Sequence, residues 1–289
     1  MQYHSPSTFE DAAKLALAAS GITRFLAGGT DVLVQLRADI TTPDTVIDIK
    51  HIPGVHDITY NEDESWTIGV AATGAEMREH VRLGEDWPGI VEAMDLIGST
   101  QVQGRATLVG NLCNGSPAAD SVPAMVAAGV ELSVSNSSGT RRVPIMEIPA
   151  GPGRTHLAQD DVVSAVHIPA RGVRGGDAYL RFIPRTEMDI AVVGCAANLS
   201  LDDDGIITNA SISLGAVAPT VLQLDEAADL LLGSRLDDGA LNKLAEAASA
   251  ACNPISDKRG TIEFRTHVAG VLAKRTAKIA YARAQGVTK

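Results

Sequence analysis

The stretch IGSTQVQGRATLVGNLCNGSPAADSVPAM, residues 97–125, decides how this chain is organised. It is rich in Gly, Asn, Ser and Thr, yet Ile97, Val102, Leu108, Val109, Leu112 and Val122 are threaded through it. A solvated loop would be more uniformly polar. A buried loop must satisfy its N–H and C=O groups without a regular ladder. A ligand with many acceptor oxygens is one solution, because glycine admits close backbone approach and exposed amides form a nest for phosphate.

A second segment makes the same offer. Leu26-Ala27-Gly28-Gly29-Thr30-Asp31 follows the apolar run 24–27 and precedes Val32-Leu33-Val34-Gln35-Leu36. It reads as a strand, a glycine turn and a short helix, whose amides and dipole favour an anion. Together the two segments predict a diphosphate held between them. In the longer one, Thr107, Leu108, Val109, Gly110 and Asn111 form the turn. Asn111 and Ser116 offer hydrogen bonds to phosphate or sugar hydroxyls, although a buried Asn also serves simply as a turn-former. Asp120 stands before a helix, as its N-cap or as a contact to a ribose or ribitol hydroxyl.

Outward from these segments the pattern is mixed. Ser7-Thr8-Phe9-Glu10 reads as a capping box opening a helix to about residue 19, stopped by Gly21. Residues 45–49 and 66–70 read as strands, Thr73 opens a helix, and 88–96 is a helix with Ile90, Val91 and Met94 inward. A helix over 121–128 and strands over 131–134 and 162–168 follow. Residues 189–201 and 206–216 read as strands joined by the hairpin signal Asp202-Asp203-Asp204-Gly205. Ala210, Ile212 and Leu214 alternate with Ser211 and Ser213, as expected for a sheet with one wet face. Helices over 224–232, 236–251 and 261–284 complete the chain.

Bulk properties narrow the function. A chain of 289 residues with 45% hydrophobic content has room for two or three compact parts and a substantial core. A formal net charge of −11 argues against a nucleic-acid surface, and implies that phosphate is held by local amides rather than by a positive field. No run approaches the ~18 apolar residues of a membrane span. The N-terminus lacks the basic and apolar regions of a secretory signal. The three cysteines are scattered and the seven histidines lack ligand spacing, which argues against disulfides and metal and for the cytoplasm. Gly151-Pro152-Gly153 does not follow a strand as a dinucleotide fingerprint must. Arg181 and Arg185 flank Phe182-Ile183, with Glu187 and Asp189 close by, which fits a salt-bridged surface strand or a cation beside a ligand that gains negative charge.

FLAGGTDVLVQLR (25–37), GSTQVQGRATLVGNLCNGSPAADSVPAM (98–125), RFIPRTEMDIAVVGCA (181–196) and FRTHVAGVLAKR (264–275), in this order, resemble the FAD-binding medium subunit of the xanthine dehydrogenase and carbon monoxide dehydrogenase family of molybdenum hydroxylases. The resemblance implies an α+β fold: a two-part FAD-binding α/β domain of the PCMH type, then a C-terminal three-stranded antiparallel sheet with helices. The parts are a small β/α subdomain (1–55), a larger α/β subdomain (56–174) and the sheet-and-helix domain (175–289). FAD would lie extended between the first two. Leu26, Ala27, Gly28, Gly29, Thr30 and Asp31 would hold the diphosphate from one side and Thr107, Leu108, Val109, Gly110 and Asn111 from the other. Ile97 would pack near the flavin or its chain, Asp120 would bond cofactor hydroxyls, and Cys113 and Val163 would make apolar contacts. Arg181 falls where the family often has a Lys near the ring. Val109 stands where the family has glycine, so the loop is shifted or strained there, or its backbone is one a side chain can adopt.

The resemblance also implies a mechanism in which no side chain of this chain is an acid, base or nucleophile. A large partner with a molybdenum–pterin centre hydroxylates the substrate, and a small partner with [2Fe–2S] clusters relays electrons to this chain's FAD. The electrons then leave to NAD, oxygen or a quinone. Two other functions fit less of the sequence. A free-standing flavin reductase, like the enolpyruvyl reductase of cell-wall synthesis, needs a substrate cavity and a proton donor. A non-catalytic FAD- or nucleotide-binding assembly module would turn nothing over.

Overall fold

A computed structural model describes residues 1–286. Its N-terminal unit is a three-stranded parallel sheet with Thr45–Asp48 in the centre, flanked by Gln2–His4 and Thr23–Leu26. The strand Gln2–His4 is too short to show a period in sequence. Tyr3 Oη anchors it by donating to Asp48 Oδ2 at 2.6 Å. The helix Phe9–Ala18 is capped by Thr8, whose hydroxyl accepts from Asp11 N at 3.1 Å, so Thr8 and Asp11 replace the expected Ser7 and Glu10. Ala12, Ala13 and Ala16 are fully buried on its inner face, and these small side chains bring the helix against both the parallel sheet and the next one.

That next sheet is antiparallel throughout, in the order Ile58–Tyr60, Trp66–Gly69, Val162–Ile168, Glu131–Asn136, Gly139–Pro144. Its inward side chains, among them Trp66, Ile68, Leu132 and Val166, meet Met77, Ile90, Met94, Leu108 and Met125 from the helices in one contiguous core that also takes in Ala12 and Ile47. Each such side chain contributes about 1.5–3 kcal/mol on burial. Thr73 opens the helix Gly74–Glu79 as expected, through a capping box with Glu76.

Residues 97–125 are less of a loop than their composition suggests. They contain the helices Thr100–Gln103 and Leu108–Cys113 and most of Ser121–Ala127. Thr107 explains the middle one, its hydroxyl accepting from Gly110 N at 3.0 Å as an N-cap.

The C-terminal sheet has four antiparallel strands rather than the expected three: Gly175–Phe182, Val193–Leu201, Ile207–Gly215 and Leu222–Gln223. The fourth is two residues long and follows Pro219, so no alternation marks it. The hairpin forms where expected, with Asp202 Oδ1 accepting from Asp204 N at 3.0 Å and Ile206 N at 2.8 Å. The helices are Asp225–Asp229, Asp238–Ala250 and Ile262–Ala284. Ala269, Ala273, Ala277 and Ala280 form a buried stripe along the last helix and let it lie close on the first two strands.

The serine face of this sheet is wet only in part, since Ser211 is half-buried beside an open cleft. Ser213 is fully buried and donates to Pro123 O at 2.5 Å, while Asn198 Nδ2 donates to Ala127 O at 3.3 Å. That face is turned toward the helix Ser121–Ala127, all of whose residues are buried. Among the described residues no helix is long and apolar enough to cross a membrane.

Candidate cofactor-binding site

The two glycine-rich turns meet. Gly28 lies two residues past the strand Thr23–Leu26 and against the backbone of Arg105, so closely that a β-carbon there would overlap the Arg105 carbonyl oxygen and stand 2.8 Å from its carbon. Arg105 Nε returns a hydrogen bond to Gly28 O at 3.1 Å. A second tie lies one helix on, where Gln35 Nε2 donates to Asn114 Oδ1 at 3.1 Å. These bonds join the helix Val32–Arg37 to the helix Leu108–Cys113, which rests on the strand Val162–Ile168.

In the first turn Leu26 is buried at the strand end, where its carbonyl accepts from Ile49 N at 3.1 Å. Ala27 is half-buried against the core. Gly29 has φ +78°, the left-handed conformation that favours glycine. Thr30 and Asp31 lead into the helix, and the Asp31 side chain makes no capping bond. The amides of Gly28, Gly29, Thr30 and Asp31 have no protein acceptor among the described residues.

In the second turn Thr107, Leu108 and Val109 are buried and Gly110 and Asn111 are half-buried. Val109 lies within a helix and not at positive φ, which removes the strain that its replacement of glycine raised. Its amide has no protein acceptor among the described residues. Asn111 Oδ1 accepts from Ser121 Oγ at 2.7 Å and Ser121 N at 3.2 Å, leaving its amide nitrogen without a partner among the described residues. Ser116 Oγ accepts from Ala118 N at 3.2 Å, within a half-buried loop. Ile97 is half-buried against the core, and Val163 is 4% exposed in the central strand of the five-stranded sheet. Cys113 is an exposed free thiol at the far end of its helix.

Asp120 and Arg181 pair with each other. Asp120 is not a helix cap; its side chain makes no capping bond and points inward. Oδ2 accepts from Arg181 Nη1 at 2.7 Å and Oδ1 from Tyr179 Oη at 2.9 Å, so the strand Gly175–Phe182 reaches back across the domain boundary to hold it. Burial pushes the Asp120 carboxyl up to about 6, against the opposing pull of Arg181 and Tyr179. Burial and the neighbouring carboxylate both raise the Tyr179 hydroxyl, which keeps it a donor. The Arg181 side chain is 4% exposed, and its Nε is buried without a hydrogen-bond partner among the described residues. Arg181 is therefore a buried cation with one satisfied face, not part of a salt-bridged surface strand. Arg185, the other arginine of that segment, is exposed, bonds Met188 O at 2.8 Å and pairs with Asp189 at 3.4 Å, so the expected ion pairing holds at that end of the segment.

Amides that lack protein acceptors, carried by two turns in contact, suit the oxygens of a diphosphate, so the residues present fit FAD. No motif marks Arg105 or the Gln35–Asn114 tie in the sequence. One signal was available: Arg105 is the only Lys or Arg between residues 97 and 125.

Comparisons with known proteins agree with this geometry. Residues 1–171 match the FAD binding domain in molybdopterin dehydrogenase, and residues 178–280 match the CO dehydrogenase flavoprotein C-terminal domain. The xanthine dehydrogenase FAD-binding subunit of Escherichia coli O157:H7 is 32% identical over 285 residues, covering 98% of this chain and 97% of that one. The carbon monoxide dehydrogenase medium chain of Afipia carboxidovorans is 31% identical over 288 residues, with 98% and 97% covered. Among solved structures, a carbon monoxide dehydrogenase from Hydrogenophaga pseudoflava that lacks the Mo-pyranopterin moiety of its molybdenum cofactor superposes with a TM-score of 0.93 at 29% identity, covering 98% of each chain. With both domain models matched in order along nearly the whole chain, the protein belongs to the FAD-binding medium subunits of the xanthine and carbon monoxide dehydrogenase family of molybdenum hydroxylases, the flavin subunits of oxidoreductase complexes.

Proposed function

We propose that this chain carries electrons out of a three-subunit molybdenum hydroxylase. It receives them from the [2Fe–2S] clusters of a small partner, which drains the molybdenum–pterin centre of a large one, and releases them to NAD, oxygen or a quinone. The observation that carries the reading is the contact between Gly28 and Arg105, which sets two turns with unpartnered amides side by side. The site residues are those expected from sequence, on a small subdomain ending near residue 55, a larger one ending near 174 and the C-terminal domain. Bound FAD would supply the ability to accept electrons singly and give up two together.

The chain's own residues bind and orient. The amides of Gly28, Gly29, Thr30 and Asp31 on one turn and of Val109 on the other would take the diphosphate oxygens. Thr107 keeps the second turn in shape through its cap to Gly110. The Asp120–Arg181 pair would set the local charge beside the cofactor without placing a bare cation there. Three free thiols suit a cytoplasmic setting.

Co-expression with the neighbouring subunit genes tests the proposal. The expected product is a complex containing FAD, iron, sulfide and molybdenum, in which added substrate bleaches the flavin under anaerobic conditions and an acceptor restores its colour. A colourless chain that purifies alone and takes up no FAD would overturn it.

A further inference from the structure

Arg105 is the cation at the junction of the two turns, and nothing in the chemistry above uses its charge. Its Nε is bound to Gly28 O at 3.1 Å, which holds the guanidinium beside the turn whose next amides lack protein acceptors. The side chain is exposed, and no carboxylate lies within ion-pair distance of it among the described residues. Two other basic residues of the N-terminal part are engaged elsewhere: Lys50 Nζ pairs with Asp48 at 2.7 Å, and Arg78 Nη1 bonds Gln103 at 3.0 Å and lies 3.5 Å from Asp95. In a chain of net charge −11, an uncompensated arginine fixed by its backbone contact beside amides without protein acceptors has a physical use.

We propose that Arg105 is a binding residue for the diphosphate of the dinucleotide, its Nε bracing Gly28 while the remaining guanidinium N–H groups meet a phosphate oxygen. The proposal rests on the FAD reading given above. Arginine suits both tasks at once because its planar fork presents several donors in fixed directions, whereas lysine offers one point charge. The amides alone would carry only partial charges, and a guanidinium beside them adds a full positive charge toward an anion.

The test uses the full chain stripped of flavin, titrated with FAD and separately with ADP, by tryptophan or flavin fluorescence at low and high salt. Arg105→Gln keeps an N–H donor and removes the charge; Arg105→Lys keeps the charge and loses the fork. Arg105→Gln is expected to weaken FAD and ADP alike by roughly tenfold at low salt, the scale of one charge-assisted hydrogen bond, with the difference shrinking at high salt. Arg105→Lys should recover part of the loss. Equal affinities for wild type and Arg105→Gln, or equal losses for the Gln and Lys variants, would overturn the role of the charge while leaving the function intact. Wild-type chain that binds neither FAD nor ADP would instead overturn the functional reading, and this one with it.

Discussion

Gly28 and Arg105, 77 residues apart in sequence, bind one another twice: the glycine lies flat on the arginine's carbonyl, and the arginine's Nε donates to the glycine's oxygen. The parallel-sheet unit and the larger one are thereby fixed in relative position at the point where both present free amides. Gly28→Ala puts a methyl group into the Arg105 carbonyl and is expected to cost about 1–3 kcal/mol, as overpacking does. It should also strip most of the flavin. Gly29→Ala is a different lesion. Its φ of +78° opposes a side chain, but the atoms nearest its β-carbon are the flexible ends of Leu26 and Leu33, so about 1 kcal/mol is expected. Urea unfolding and visible flavin absorbance of the two variants separate these effects. Equal flavin content in Gly28→Ala and wild type would contradict the assignment of the turn.

The Asp120–Arg181 pair makes its own demand. Asp120→Asn leaves the Arg181 guanidinium in a site only 4% exposed with no carboxylate opposite, and is expected to destabilise the chain by about 3–5 kcal/mol. Replacing both residues together, Asp120→Leu with Arg181→Met, should cost much less than the sum of the single changes. Additive losses in a thermal or urea double-mutant cycle would show that the two side chains do not act as a unit.

Acid stability should carry two opposing signatures. His167 lies between Thr67 Oγ1 at 3.2 Å and Ser133 Oγ at 2.7 Å on the five-stranded sheet, and burial, helped by Arg142, pushes its imidazole down to about 4. The unfolded chain therefore binds a proton that the folded one refuses between about pH 6.5 and 4, and stability falls through that window as pH drops. Asp120 runs the other way: with its carboxyl raised to about 6, the folded chain holds a proton that the unfolded chain has released, so its contribution is full below the unfolded value and is lost as pH rises toward 6. His167→Asn is expected to flatten the acid limb of the stability curve between pH 6.5 and 4. An unchanged limb would mean the imidazole titrates normally.

Arg265 locks the C-terminal domain. It is 4% exposed, with Nη1 donating to Val192 O and Nη2 to Asp257 Oδ1, each at 2.7 Å. These bonds tie the start of the long helix to the start of the second strand and to the preceding loop. Arg265→Met keeps the stem and removes the bonds, with an expected cost of about 2–3 kcal/mol by urea unfolding. A loss below about 0.5 kcal/mol, the range of ordinary surface changes, would show the lock to be idle.

The sequence disclosed the local chemistry better than the pairings. The turn at Gly28-Gly29 was legible because a tight turn requires particular residue types within a few positions. The hairpin at Asp202–Gly205 was legible for the same reason, whereas the helix that Thr107 caps was not, its Gly and Asn content reading as a loop. Of the two readings of Asp120, the cap fails: an acidic residue before a helix looks like a cap from sequence alone, whereas its partners Tyr179 and Arg181 come from a strand about sixty residues on. The serine face of the last sheet misled similarly: alternation shows which side chains share a face, not what covers it. The strands Gln2–His4 and Leu222–Gln223 were missed because a period of two cannot be seen in two or three residues. Val109 looked wrong only while the segment was taken for a loop, since a helical backbone accepts a β-branched residue readily.

The polar face of the C-terminal sheet has one more implication, for modularity. A fragment cut near residue 174 would bare the side of the helix Ser121–Ala127 that faces the C-terminal sheet, deprive the Pro123 and Ala127 carbonyls of their donors from Ser213 and Asn198, and leave Asp120 with no arginine opposite. The flavin-holding half is thus not a detachable cassette: grafting it onto another scaffold requires carrying along the surface of the tail domain that completes it.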